Sequence, residues 1–261
     1  MFSNVLGGLP VPRVVSRWVN DRLIKLEFPD PRETVLPGIP WGRCDEMLSP
    51  AYWRLQAWLS DASEFSSHRL GNTLAEETAA CLPGGHGIPA EVGLAAFLHL
   101  RDLGLLFGPP PSADVIARAL GNPLTIGQRR VRYRFVRQKA HYLHGALTRL
   151  AGETPDSSSG RAFRKWFLSL AGFGPKTASW VARNWLGTDE VAIIDIHIFR
   201  AGVIAKLFSA QESVQRAYFD LEGRFLEFAS NLGVATSMLD ALMWRDMRLS
   251  GELARRLLPG V

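Results

Sequence analysis

Cysteine is almost absent from this chain: among 261 residues only Cys44 and Cys81 carry a thiol. Two thiols cannot supply the four ligands of an iron–sulfur cluster or a Cys-rich zinc site, nor build a disulfide framework, so a reducing compartment fits. Long apolar runs are missing too. None approaches the roughly 18 residues of a membrane-crossing helix, and no charged stretch, apolar core and cleavage site open the chain. The expectation is a soluble, cytoplasmic protein with no membrane partner. Convincing period-2 runs and internal repeats are also lacking. What is abundant is apolar and slightly basic: 47% hydrophobic residues, ample for one large or two modest cores, and a formal net charge of +5, which suits an anionic polymer.

Residues 1–48 are rich in Pro and Gly, with Val14, Val15, Trp18 and Val19 expected to make one short helix. Phe28 to Trp41, with Pro29, Pro31, Pro37 and Pro40, reads as a loop or extended arm. From Ser49 onward helical patterns dominate. Tyr52, Leu55, Trp58 and Leu59 mark one helix, and Val92, Leu94, Ala95, Leu98 and Leu100 a central one. CLPGGHGIP at 81–89 must be a loop, and GETPDSSSG at 152–160 a linker dividing a helical region at 49–150 from the region beyond it. Arg129, Arg130, Arg132, Arg134, Arg137, Lys139 and Arg149, interleaved with Tyr133, Phe135 and Tyr142, suit a helix lying on a phosphate backbone, with Arg137 and Lys139 as contacts. His141 and His144 share a helix face without a Cys or carboxylate partner, and so read as surface or packing histidines.

The densest chemistry follows the linker. Phe163, Trp166, Phe167 and Leu170 recur at helical spacing; Gly172 and Gly174 then break the helix, and Pro175 suits the first position of a new one. Ala178, Val181, Ala182 and Trp185 continue it to about Leu186, so the segment reads as helix, tight hairpin, helix. The exposed N–H groups at the second helix's start favour a phosphate, and the glycines let a backbone approach. Lys176 stands in that first turn, where the positive dipole end and packing beside Trp180 or Trp185 would favour an uncharged amine, a nucleophile toward electron-poor carbon. Asp195 lies 19 residues on, after the apolar run Val191 to Ile194, as the expected N-cap of a helix beginning near Ile196. By itself this spacing fits an ordinary cap and a surface lysine equally well.

The hairpin, Lys176 and the Asp-x-His of Asp195 and His197 together resemble the helix-hairpin-helix DNA glycosylase superfamily, and among its branches the bifunctional 8-oxoguanine glycosylase/lyases. The strong match runs from about Leu168 to Arg200. The wording AIIDIHI and MLDALMW is similar to the compact archaeal and bacterial type. The shortage of cysteine separates the chain from the cluster-bearing branch.

The resemblance implies an all-α fold of two helical lobes flanking a DNA- and base-binding cleft: 49–150 as the first lobe, 161–208 as the hairpin lobe, and 209–261 packing back on the first. It implies a monomeric, cytoplasmic repair enzyme, nucleoid-associated if bacterial, acting on double-stranded DNA that contains a damaged base. Lys176 and Asp195 would be catalytic, Gly172, Gly174 and His197 would touch DNA, and Trp244 and Asp240 would recognise the flipped base. No cofactor would be required, although backbone carbonyls of Leu168, Leu170 and Phe173 would hold a structural monovalent cation. Two alternatives stay open: a lysine-dependent glycosylase for another modified base, including those of invading DNA, or a hairpin protein that binds DNA without catalysis.

Overall fold

The computed structural model describes residues 13–60, 68–85 and 87–249. The first 12 residues of the Pro/Gly-rich segment, His86 of the 81–89 loop and residues 250–261 of the C-terminal segment lie outside the described residues. The chain divides into two compact units, Met1–Ser66 with Ile194–Val261, and Ser67–Ile193. No described helix is long and apolar enough to cross a membrane.

In the first unit, β1 (Val14–Val19) pairs antiparallel with β2 (Arg22–Glu27), so the short helix expected at Val14–Val19 is a strand. Asn20 and Asp21 both take positive φ, the conformation a two-residue hairpin turn needs and that Asn and Asp tolerate. Alternation then decides the faces. Arg17 turns toward the body, where its guanidinium lies 4.7 Å from the Trp58 ring centroid and donates to Leu59 O at 2.9 Å, while Trp18 points outward. The expected arm contains a small second hairpin, β3 (Thr34–Leu36) with β4 (Ile39–Pro40).

Four helices complete this unit: α1 (Pro50–Leu59), α8 (Ile196–Ile204), α9 (Val214–Leu232) and α10 (Thr236–Leu249). Ser49 caps α1 by accepting from Tyr52 N. Trp53, Phe225, Phe228, Leu239, Leu242 and Met243 are fully enclosed and form the core. Tyr52 Oη donates to Asp246 Oδ2 at 2.9 Å, fixing α1 to α10, and burial first and Asp246 second push the Tyr52 phenol up to about 12.

The second unit contains α2 (Leu74–Cys81), α3 (Ala90–Asp102), α4 (Ala113–Gly121), a hairpin of β5 (Leu124–Ile126) and β6 (Arg129–Val131), α5 (Val136–Gly152), α6 (Gly160–Leu168) and α7 (Pro175–Leu186). One apolar cluster runs through it, with Phe97, Leu100, Ile116, Leu120, Leu143, Phe163, Phe167 and Val181 at its centre. The helices on either side of the 152–160 linker both contribute to this cluster. The basic segment expected as one helix is a strand through Val131, and helix only from Val136. Tyr133 anchors the change of direction: it is buried and donates its hydroxyl to Pro83 O at 2.6 Å. The fold is thus predominantly helical, with three two-stranded sheets among the described residues.

Candidate active site

Ser159 starts α6 by accepting from Ala162 N, and the apolar face Phe163, Phe167 and Leu170 sinks into the core. The chain then turns through 169–174. Gly172 has φ +85, and a Cβ there would run into the Tyr142 ring on α5, so both conformation and packing require glycine. Gly174 differs: its φ is ordinary and a Cβ would meet nothing within 4 Å. It forms the N-cap of α7 without a side chain, leaving the first N–H groups of that helix to an outside acceptor.

Lys176 is half-buried in the first turn of α7, its Nζ 6.0 Å from the ring centroid of Trp180 one turn on. Trp185 is engaged elsewhere, under the Arg69 guanidinium at 4.1 Å. The loop after α2 forms the wall beside Trp180, where a Cβ on Gly84 would lie 3.6 Å from the indole. Lys139 holds that loop: its ammonium donates to Leu82 O at 2.8 Å and Gly84 O at 3.0 Å. Burial, followed by the charge of Lys176, lowers the Lys139 pKa. Beneath the loop, the fully buried Glu77 accepts from Leu70 N, Gly71 N and Asn184 Nδ2, tying α2 to α7. Cys81 is sealed beside it, its thiol pushed well up by burial and by Glu77.

In the other unit, Asp195 caps α8. Its Oδ1 accepts from His197 N at 2.8 Å and Ile198 N at 2.9 Å, and Oδ2 takes no hydrogen bond among the described residues. Ile194, buried just before it, donates its N–H to Tyr218 Oη. The His197 ring meets Trp244 edge-on, 6.3 Å between centroids, and the Arg248 guanidinium lies 5.1 Å from the Trp244 ring centroid. Trp244 is only half-buried, whereas Leu239, Leu242, Met243 and Met247 make the core face of α10. Asp240, one turn before Trp244, is buried.

The carbonyls of Leu168 and Phe173 accept no hydrogen bond among the described residues, and that of Leu170 accepts one, from Phe173 N at 3.3 Å. Among the described residues no group of three or more His, Cys, Asp or Glu could hold a metal. His141 is exposed and His144 Nδ1 lies 2.8 Å from Pro111 O. Two features were invisible in the sequence. One is the contact of Tyr142 with the hairpin. The other is the left-handed backbone of Phe135, which precedes α5 and leaves the side chain 46% exposed, with the Arg134 guanidinium 5.3 Å from its ring centroid.

Residues 117–234 match the family model for 8-oxoguanine DNA glycosylase. The 8-oxoguanine DNA glycosylase/AP lyase of Metallosphaera sedula is 33% identical over 171 residues, covering 62% of this chain and 76% of that protein. The 8-oxoguanine DNA glycosylase/AP lyase of Saccharolobus solfataricus is 32% identical over 123 residues, 43% of this chain and 58% of that protein. In three dimensions the chain resembles the 8-oxoguanine DNA glycosylase of Methanocaldococcus jannaschii, with a TM-score of 0.53, 24% identity, and 68% and 78% of the two chains covered. The structure of the glycosylase/lyase from that organism with a 15mer DNA containing 8-oxoguanine gives 0.53, 22%, and 77% and 87%. At such identities the solved structures establish a common fold.

Proposed function

This chain belongs to the 8-oxoguanine DNA glycosylase/AP lyase family, and from that membership we propose that it excises oxidised guanine from duplex DNA through Lys176 and then cuts the strand by β-elimination. The observation that carries the assignment of Lys176 is its station: first turn of α7, directly after the hairpin, half-buried beside Trp180.

The damaged nucleotide is first flipped out, because C1′ is inaccessible in the stack. The lone pair of Lys176 Nζ then attacks C1′ as the C1′–N9 bond breaks and the base leaves with that electron pair and a proton. Opening of the sugar ring gives an imine between Nζ and C1′. The imine acidifies the 2′ proton, whose loss expels the 3′ phosphate. Asp195 offsets the positive charge that builds on the sugar; its rigid capping geometry and the second, unengaged carboxylate oxygen support that role.

The uncapped start of α7, with Gly174 in open space, suits a phosphate. Leu168, Leu170 and Phe173 carbonyls would hold a monovalent cation that supplies positive charge to the same phosphate. Trp244 offers a half-exposed aromatic face to the flipped base, with Asp240 as the acceptor for its N–H groups and His197 beside it. Arg137 is exposed and contacts backbone phosphate. Lys139 instead holds the 82–85 loop, since its ammonium already donates to two carbonyls there. The enzyme works as a cytoplasmic monomer.

Borohydride tests the central claim, because reduction of the imine locks protein to DNA. An 8-oxoguanine duplex should give a covalent adduct that Lys176→Gln abolishes while still binding the duplex. Survival of the adduct in Lys176→Gln would sink the assignment. Adducts formed only with another modified base in place of 8-oxoguanine would redirect the substrate to that base.

A further inference from the structure

None of residues 115–152 is acidic, yet eight are Arg or Lys: Arg118, Arg129, Arg130, Arg132, Arg134, Arg137, Lys139 and Arg149. Several other arginines lie beside carboxylates, as in Arg32 with Asp30, Arg43 with Asp45 and Arg224 with Glu212, and within the stretch itself Arg149 pairs with Glu153. Arg129, Arg130 and Arg132 are exposed and form no ion pair among the described residues. Three like charges within four residues repel one another, and a fold that holds them together without a counter-charge leaves that charge for a partner.

The platform beneath them is firm. Leu124 is buried, Gly127 makes the turn at φ +57, the register pairs Thr125 with Arg130 and Ile126 with Arg129, and Tyr133 is bonded to Pro83 O. A guanidinium presents its donors as a planar fork matched to phosphate oxygens, so an arginine cluster on a rigid hairpin selects a phosphate backbone.

We infer that the β5–β6 hairpin is a separate grip on the DNA backbone, in which Arg129 and Arg130 hold phosphates of the duplex independently of the α6–α7 hairpin. The inference rests on duplex DNA being the substrate. The grip carries no sequence or lesion information, so its effect falls equally on damaged and undamaged DNA.

The test uses the full-length Lys176→Gln protein, which binds without cutting, and measures its affinity for damaged and undamaged duplexes across salt concentrations. Replacing Arg129 and Arg130 together by Gln should make the slope of log affinity against log salt shallower by about 0.9 per lost phosphate contact, about 1.8 in all. Replacing both by Lys should keep the slope, since the charge remains. An unchanged slope in the Gln variant overturns the grip, as does a loss confined to damaged duplex or to single-stranded RNA. Because the readout is binding alone, missing excision by the parent enzyme would refute the glycosylase reading without touching this one.

Discussion

At the scale of single residues, substitution can separate the observed capping by Asp195 from the catalytic charge proposed for it. Asparagine keeps an acceptor oxygen for His197 N and Ile198 N and caps about as well as aspartate, so Asp195→Asn should melt close to the parent. It removes the negative charge, however, and single-turnover excision should fall roughly 100-fold or more, as when one preorganised electrostatic group is lost. Excision within a few-fold of the parent would reduce Asp195 to a helix cap. Trp244 yields to a similar separation. Being half-buried and off the Leu239–Met243 core face, it should cost less stability on truncation than Met243 would. Trp244→Ala should cost about 1–3 kcal/mol of stacking in excision of 8-oxoguanine, and much less in cleavage of a preformed abasic site, which has no base to stack. Equal loss on both substrates with a lower melting temperature would make Trp244 a core residue.

At the scale of elements, the α6–α7 hairpin was the most readable part of the chain, because its signals are local: apolar residues at helical spacing, two glycines, then a proline at the first helical position. The cap of α8 was readable for the same reason. The β1–β2 hairpin was not. Val14, Val15, Trp18 and Val19 fit helical spacing as well as they fit a strand, and only pairing with Arg22–Glu27 through the Asn20-Asp21 turn decides the matter. Likewise the β5 partner turned the first part of the basic helix into a strand. Sequence also treats Gly172 and Gly174 alike, whereas their surroundings differ. Gly172→Ala would take a left-handed φ and strike Tyr142, so it should lower stability by about 1 kcal/mol or more and weaken DNA binding through the displaced hairpin. Gly174→Ala has open space and an ordinary φ, so its melting temperature should hold, and any drop in affinity reports the approach of DNA itself. Matching stability losses in the two variants, measured by thermal melting beside duplex titration, would contradict this separation.

At the scale of the whole molecule, the Ser67–Ile193 unit is an insertion between two stretches that form the other unit, and the junction falls inside the apolar run Val191 to Ile194. The two residues proposed as catalytic therefore belong to different units, Lys176 to the inserted one and Asp195 to the stretch just beyond the junction, although 19 residues of sequence make them look like one motif. Stability of the inserted unit has its own pH signature. Burial, and next the charge of Arg183, hold the half-buried His68 imidazole down at about 4 against an ordinary value of 6.5, with Asp189 opposing. The folded unit thus keeps His68 neutral while the unfolded chain takes up a proton as pH drops below 6.5. Its contribution is fully present above about pH 6.5 and is lost progressively toward pH 4. Exposed carboxylates such as Glu153 and Asp156, held low by their partners, also release stability in acid, but they do so equally with or without the histidine. His68→Asn, which cannot titrate, should therefore lose less melting temperature than the parent between pH 6.5 and 4, with the two curves parallel above pH 7. Thermal melting of both proteins across pH 4 to 8 decides it: parallel curves throughout would show that His68 titrates alike in the folded and unfolded chain.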